Sequence, residues 1–156
     1  MLQMEMGKRQ SGVENGGPRY RQLDAWRYSD DLAVEVYHVA RKLPPHARVI
    51  MDQIIRAAVS ATANIAEGYG RVSSKEFRHF LTIAHASLYE VSYFLHFLRR
   101  IEIIDGDTYE RLAASCQRAS RVTYDLMRAV RSDAEAKEPT PRYLKEEPGV
   151  YAANGD

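Results

Sequence analysis

Four arginines, Arg111, Arg118, Arg121 and Arg128, recur at steps of seven, three and seven residues. On a helix that turns about 100° per residue they share one sector, opposite Leu112, Cys116 and Val130. A row of guanidinium groups suits phosphate contacts, so the chemistry of this stripe would be the gripping of a nucleic-acid backbone. Further cations stand at Arg71, Lys75 and Arg78 and at Arg99 and Arg100. The same residues also make an ordinary solvated face, with Asp107/Arg111 and Arg121/Asp125 as i,i+4 pairs. The net charge of +1 hides an uneven division: residues 132–156 hold six acidic side chains against three basic ones, a balance of −3, which leaves +4 on residues 1–131.

Other spacings suggest other chemistries. Glu35-x-x-His38 and Glu76-x-x-His79 have the spacing of di-iron ligand pairs in helical bundles. Their orientation opposes it: Glu35 lies about 160° around the helix from Ala33, as does His38 from Val36, and Glu76 has the position of a capping residue. Arg78 and His85 are seven apart on one face, similar to the Arg-x(4–6)-His motif of HEPN-type helical ribonucleases, where the pair would act on the RNA 2′-oxygen and phosphate. Asn64 and Glu67 end a helix whose C-terminus is unfavourable for a carboxylate. Arg56, Arg71 or a donor on a neighbouring subunit would compensate, and Arg56, Ser60, Asn64 and Glu67 read as a structural polar network. No second group pairs with Glu67 for acid–base work. Tyr89, Tyr93 and Phe97 form an i,i+4 ladder off the leucine stripe of their helix. The ladder is expected to be a subunit interface; a wide core face with hydroxyls reaching solvent fits equally, and base stacking is a lesser alternative.

These side chains need helices to place them. Between a leader over 1–21 and a tail from 132 the periodicity is helical throughout, with almost no strand signal. The first helix runs from about Asp24, a plausible N-cap, to Lys42, with Trp26, Ala33, Val36, Ala40 and Leu43 inward, and Pro44-Pro45 ends it. The second runs from His46 to Glu67 on Met51, Ile54, Ala58, Ala61 and Ile65, and Gly68 and Gly70 are expected to supply a left-handed cap. The third opens on a Ser73–Glu76 capping box and carries Phe77, Phe80, Leu81, Ala84, Leu88, Val91, Leu95 and Leu98 inward until Asp105-Gly106 closes it. The fourth begins at Asp107, with Leu112, Cys116, Ala119, Thr123, Leu126 and Val130 inward. Four amphipathic helices, about 28–40 Å long, with short links predict an all-α, up-down-up-down antiparallel four-helix bundle. The small residues of the second helix leave room for the large ones of the third.

The bulk numbers agree with one such domain. The chain has 156 residues, 45% hydrophobic and 28% charged, the profile of a folded chain rather than a disordered one. A single cysteine excludes a disulfide scaffold and fits a reducing compartment. No apolar run approaches the ~18 residues of a membrane span, and the expected location is the cytoplasm. The tail over 132–156, mixed in Pro, Gly and charge, is expected to be disordered and acidic.

The run "QIIRAAVSATANIAEGYGR", followed by "SSKEFRHFLTIAHASLYEV", resembles the family of 23S rRNA intervening-sequence proteins. The resemblance is carried by Gln53, Arg56, Ala57, Ser60, Asn64, Ile65, Ala66, Glu67 and Gly68, then by Ala84, Ser87, Leu88 and Glu90, with "LDAWRYSDDLAVEVY" similar to the family's first helix. It covers about 22–130 and implies a four-helix bundle. A related branch is the accessory variability protein of diversity-generating retroelements, a pentamer that binds nucleic acid and a reverse transcriptase. The resemblance therefore implies a homo-oligomeric ring, with nucleic acid, itself and a reverse transcriptase as partners, and neither cofactor nor metal nor catalytic centre. The function expected is a non-catalytic, nucleic-acid-binding accessory protein. An Arg78/His85 ribonuclease and a scaffold for a protein partner are the alternatives.

Overall fold

The computed structural model describes residues 17–130. The expected acidic tail over 132–156 and the leader through residue 16 lie outside the described residues. At the expected end of the leader, Arg19–Gln22 form a 3-10 turn, with Tyr20 edge-on to Trp26 at 5.3 Å.

Four helices follow: α1 (Asp24–Ala40), α2 (Arg48–Tyr69), α3 (Ser74–Arg100) and α4 (Gly106–Ala129). α1 packs on α2 and α4, α3 packs on α2 and α4, and the diagonal pairs do not meet. This is the antiparallel four-helix bundle expected from the pattern, and no described residue is in a strand.

The inward residues follow from the 3.6-residue period. Leu32 and Val36 of α1, Ile54, Ala57, Ala58 and Ala61 of α2, Leu88, Val91, Leu95 and Leu98 of α3, and Leu112, Cys116 and Ala119 of α4 form one core. Ala25, Ile65, Leu81, Ala84 and Met127 form a second toward the α2–α3 turn. Met127 takes the inward place expected of Leu126 and Val130, which are half-buried. Trp26 and Leu43 are likewise half-buried, and Leu32, not part of the expected face, is fully buried. Burial pushes the Cys116 thiol up to about 12, and its S–H donates to the Leu88 carbonyl at 3.3 Å. It is a packing residue, not a nucleophile.

The helix ends correct several expectations. Leu23, not Asp24, is the N-cap of α1, and Asp24 pairs instead with Arg27 at 3.4 Å. A 3-10 turn at Pro45–Ala47 precedes α2. Gly68 is not a cap but the last buried residue of α2, and Gly70 has φ −76°, so neither is left-handed. Space, not backbone freedom, explains Gly68: a Cβ there would stand 2.6 Å from the Phe80 Cβ and 2.9 Å from Phe77 Cδ2. The left-handed residue lies at the other end of the bundle. Glu102, at φ 58°, ends α3 in a Schellman motif, in which Ile103 N–H donates to Leu98 O at 2.9 Å and Glu102 N–H to Arg99 O at 3.1 Å. Asp105 then caps α4 in place of Asp107, accepting from Thr108 N–H at 2.7 Å. That bond holds the Asp105 carboxyl below its ordinary range. Ser73 caps α3 as expected, accepting from Glu76 N–H at 3.2 Å and donating its hydroxyl to the Glu76 carboxylate at 2.8 Å.

Candidate nucleic-acid interface

The α4 stripe lies on the outer surface, with Arg111, Arg118, Arg121 and Arg128 all exposed. Its members differ in what holds them. Arg111 donates to Glu35 of α1 at 2.8 Å, and Ser115 donates to the same carboxylate at 3.3 Å. It therefore ties α1 to α4 rather than pairing with Asp107. Arg118 lies over the Tyr28 ring at 5.4 Å and Arg128 over Tyr124 at 5.9 Å. Both keep their charge, and the rings pre-orient them. Arg121 makes no ion pair among the described residues, so the expected pair with Asp125 does not form. Lys75 and Arg100 also make none.

Antiparallel packing divides the remaining cations. Thr82 of α3 donates to Met127 Sδ of α4 at 3.4 Å, which sets the start of α3 beside the end of α4. Lys75 and Arg78 thus belong to the same end of the bundle as Arg128. Arg99 and Arg100 lie at the opposite end, where the Arg99 charge helps to hold the Asp105 carboxyl low. Arg71 is engaged locally: it pairs with Glu67 and lies over Phe80 at 4.8 Å.

That pair answers the question of Glu67, whose carboxylate at the end of α2 is met by the cation one turn on. The expected network is three separate contacts along the α2–α3 seam. Arg56 reaches Gln53 and, at 3.7 Å, Glu90 of α3. Ser60 and Ser87 share a hydrogen bond at 3.1 Å, and Asn64 Nδ2 donates to the Ser60 carbonyl at 2.8 Å and to its Oγ at 3.2 Å. Glu67 stands apart with Arg71. Of these, the Arg56–Glu90 and Ser60–Ser87 contacts join α2 to α3.

The ladder points outward. Tyr89 is 51% and Tyr93 59% exposed, and Tyr93 stacks on the half-buried Phe97 at 6.3 Å. Beside them His85 sits between Tyr89 at 5.0 Å and Tyr124 at 5.6 Å. Its Nε2 is buried and has no hydrogen-bond partner. Tyr28 and Tyr124, the rings under Arg118 and Arg128, are not singled out by the sequence reading. The i,i+4 spacing of Tyr124 and Arg128 was the available signal, whereas Tyr28 meets Arg118 only through packing.

Burial lowers the His85 pKa below its ordinary 6.5. The unfolded chain therefore takes up a proton near pH 6.5 that the folded chain takes up only at lower pH. Stability should be complete above 6.5 and decline as pH falls below it, by at most about 1.4 kcal/mol per pH unit from this group. Urea titrations of wild type and His85→Gln from pH 7.5 to 5 should show the variant losing part of that decline; parallel curves would refute the assignment.

The metal-like pairs are taken up elsewhere, Glu35 by Arg111 and Ser115 and Glu76 by Ser73. Among the described residues no three His, Cys, Asp or Glu side chains converge, and no helix is long and apolar enough to cross a membrane.

The fold and site together define a small helical bundle that carries its polar chemistry on its outer faces, over an interior of packed apolar side chains. The chain belongs to the family described as 23S rRNA-intervening sequence protein, whose model matches residues 21–125. It is also similar to the crystal structure of a protein of unknown function from the S23 ribosomal protein family of Bacteroides thetaiotaomicron. The two share 26% identity and a TM-score of 0.63, over 66% of this chain and 97% of that one. No curated protein matches the chain.

Proposed function

We propose that this chain is a non-catalytic, cytoplasmic accessory protein that binds nucleic acid through the cationic outer face of α4 and the adjoining start of α3. The observation that carries this reading is the state of the arginines: Arg118 and Arg128 rest on rings and Arg121 has no carboxylate partner among the described residues. Their charge is therefore available for phosphate contacts, which release counterions and make binding steeply salt-dependent. The family's description, which refers to an insert in ribosomal RNA, points to RNA first. We further propose that the chain is related to retroelement accessory proteins, with a ring of copies and a reverse transcriptase as partner; a ring would repeat the face and raise avidity without new contacts.

Fluorescence anisotropy against a structured RNA and a DNA duplex, at low and near-physiological salt, tests it. Wild type should bind with a steep salt dependence. Arg118→Glu/Arg121→Glu should bind more weakly, with a log–log salt slope shallower by about 2. Equal binding by the variant, or no binding at low salt, would refute the reading and leave a protein scaffold as the better account.

A further inference from the structure

α4 packs against α1 on one side and α3 on the other, and no described element covers its outer face. Arg118, Arg121 and Arg128 are exposed there, and Arg111 is already taken by Glu35. Over residues 114–129 these three cations stand against one carboxylate, Asp125, a balance of +2. The chain that follows has the opposite sign. Residues 132–138, "SDAEAKE", hold Asp133, Glu135 and Glu138 against Lys137, a balance of −2. Residues 139–156 hold Glu146, Glu147 and Asp156 against Arg142 and Lys145, a balance of only −1. Reach is ample. At a rise of about 1.5 Å per residue, Arg118 lies about 17 Å back along α4 from Ala129, whereas the nine residues from Ala129 to Glu138 can span up to about 30 Å.

We propose that Asp133, Glu135 and Glu138 dock on the face of α4 that carries Arg118, Arg121 and Arg128, so that the chain supplies its own occupant for this face and nucleic acid must displace it. The inference rests on the nucleic-acid reading above and adds its regulation. The three acidic residues lie outside the described ones, and charge, order and reach carry the assignment. The effective concentration of a tethered ligand falls once its linker exceeds the span it must cover. That favours the segment directly after α4 over Glu146 and Glu147, whose neighbours Arg142 and Lys145 also oppose it. An exposed ion pair is weak by itself, and tethering lets three act together. A nucleic-acid duplex, with one charge per about 1.7 Å of its axis, outcompetes such a segment, whereas a short or sparsely charged anion does not. The docked segment would therefore restrict the face to dense polyanions.

The test uses the full chain as wild type, as Asp133→Asn/Glu135→Gln/Glu138→Gln and as Glu146→Gln/Glu147→Gln/Asp156→Asn, two variants with the same change of charge. Modification by phenylglyoxal, a guanidinium reagent, is followed arginine by arginine by mass spectrometry at low and high salt. Affinity for a structured RNA is measured by fluorescence anisotropy. At low salt Arg121 and Arg128 should react more slowly in wild type than in the first variant, by about 3-fold or more. The difference should vanish at high salt, and Arg100, at the other end of the bundle, should react alike in all three chains. The first variant should bind RNA more tightly at low salt by a similar factor. Its salt slope should be steeper, because in wild type salt also releases the competing segment. The second variant should behave like wild type. Equal rates for Arg121 and Arg128 in wild type and the first variant would overturn the docking, whatever the RNA does. Equal gains by the two variants would reduce the effect to net charge and overturn it as well. Protection lost on dilution of the protein would place the segment on another copy, and an RNA affinity unchanged in the first variant would remove the competition; either result refutes the proposal. Protection of Arg121 and Arg128 with no RNA binding by any of the chains would support the docked segment and refute the nucleic-acid reading.

Discussion

Leu88→Ala is expected to destabilise the bundle by about 2–5 kcal/mol. Leu88 is 1% exposed and belongs to the larger core, where Ala57, Ala58 and Ala61 of α2 and Cys116 of α4 are among its members. Those small side chains are already at the limit of their reach. They cannot extend into the space a lost isobutyl group leaves, so the cavity remains, and its cost adds to the lost transfer energy. A core lined by larger, more mobile side chains would relax further and lose less. The Cys116 thiol bonds to the Leu88 backbone carbonyl, so the substitution leaves that bond in place and isolates the packing effect. Urea unfolding followed by circular dichroism should show a lower midpoint with an unchanged slope. Val49→Ala, at a site 74% exposed, should stay within about 0.5 kcal/mol of wild type. A loss below about 1 kcal/mol for Leu88→Ala would mean that α2 and α3 are less tightly packed than described.

Two glycines two positions apart, Gly68 and Gly70, should respond in opposite directions. Gly68→Ala places a methyl group 2.6 Å from the Phe80 Cβ and 2.9 Å from Phe77 Cδ2. The Phe80 Cβ is anchored to its own backbone and cannot swing aside, so α2 and α3 must separate locally. Overpacking of this kind costs about 1–3 kcal/mol. Gly70 is different. Its φ is −76°, its added Cβ would meet only the Glu67 carbonyl at 3.4 Å, and alanine restricts the unfolded chain more than glycine does. Gly70→Ala should therefore be neutral to stabilising, by up to about 1 kcal/mol. If Gly70→Ala proved the more damaging of the two, the reading of the sequence as a left-handed cap would regain support over the packing account.

Much of the architecture was legible because it depends on local rules. The helix period marked the four helices, Ser73 and Glu76 three apart marked the start of α3, and the outward placement of Tyr89 and Tyr93 followed from their angle to the leucine stripe. The errors share one cause. Gly68-Tyr69-Gly70 has the composition of a helix cap, and nothing along the chain reports that two phenylalanines from the next helix press on Gly68. Glu102, which does take the left-handed conformation, is not a residue that composition would select. It is held there by the bonds that Leu98 and Arg99 carbonyls accept at the end of α3. Asp105 and Asp107 are both plausible caps by type, and the loop's geometry decided between them.

The candidate site divides in the same way. The sequence by itself determined that Arg111, Arg118, Arg121 and Arg128 share a helix face, because angular position follows from spacing alone. It also placed Arg71 one turn beyond Glu67. Only the tertiary structure decided which of these charges are free to act. It set Glu35 of α1 against Arg111 and Tyr28 of α1 under Arg118, and the antiparallel course of α3 and α4 sent Arg99 and Arg100 to the end of the bundle opposite Arg128. Contacts within one helix are set by a fixed rise and turn per residue, which can be read from residue number. Contacts between helices depend on how four apolar faces interlock at once, and residue number does not carry that.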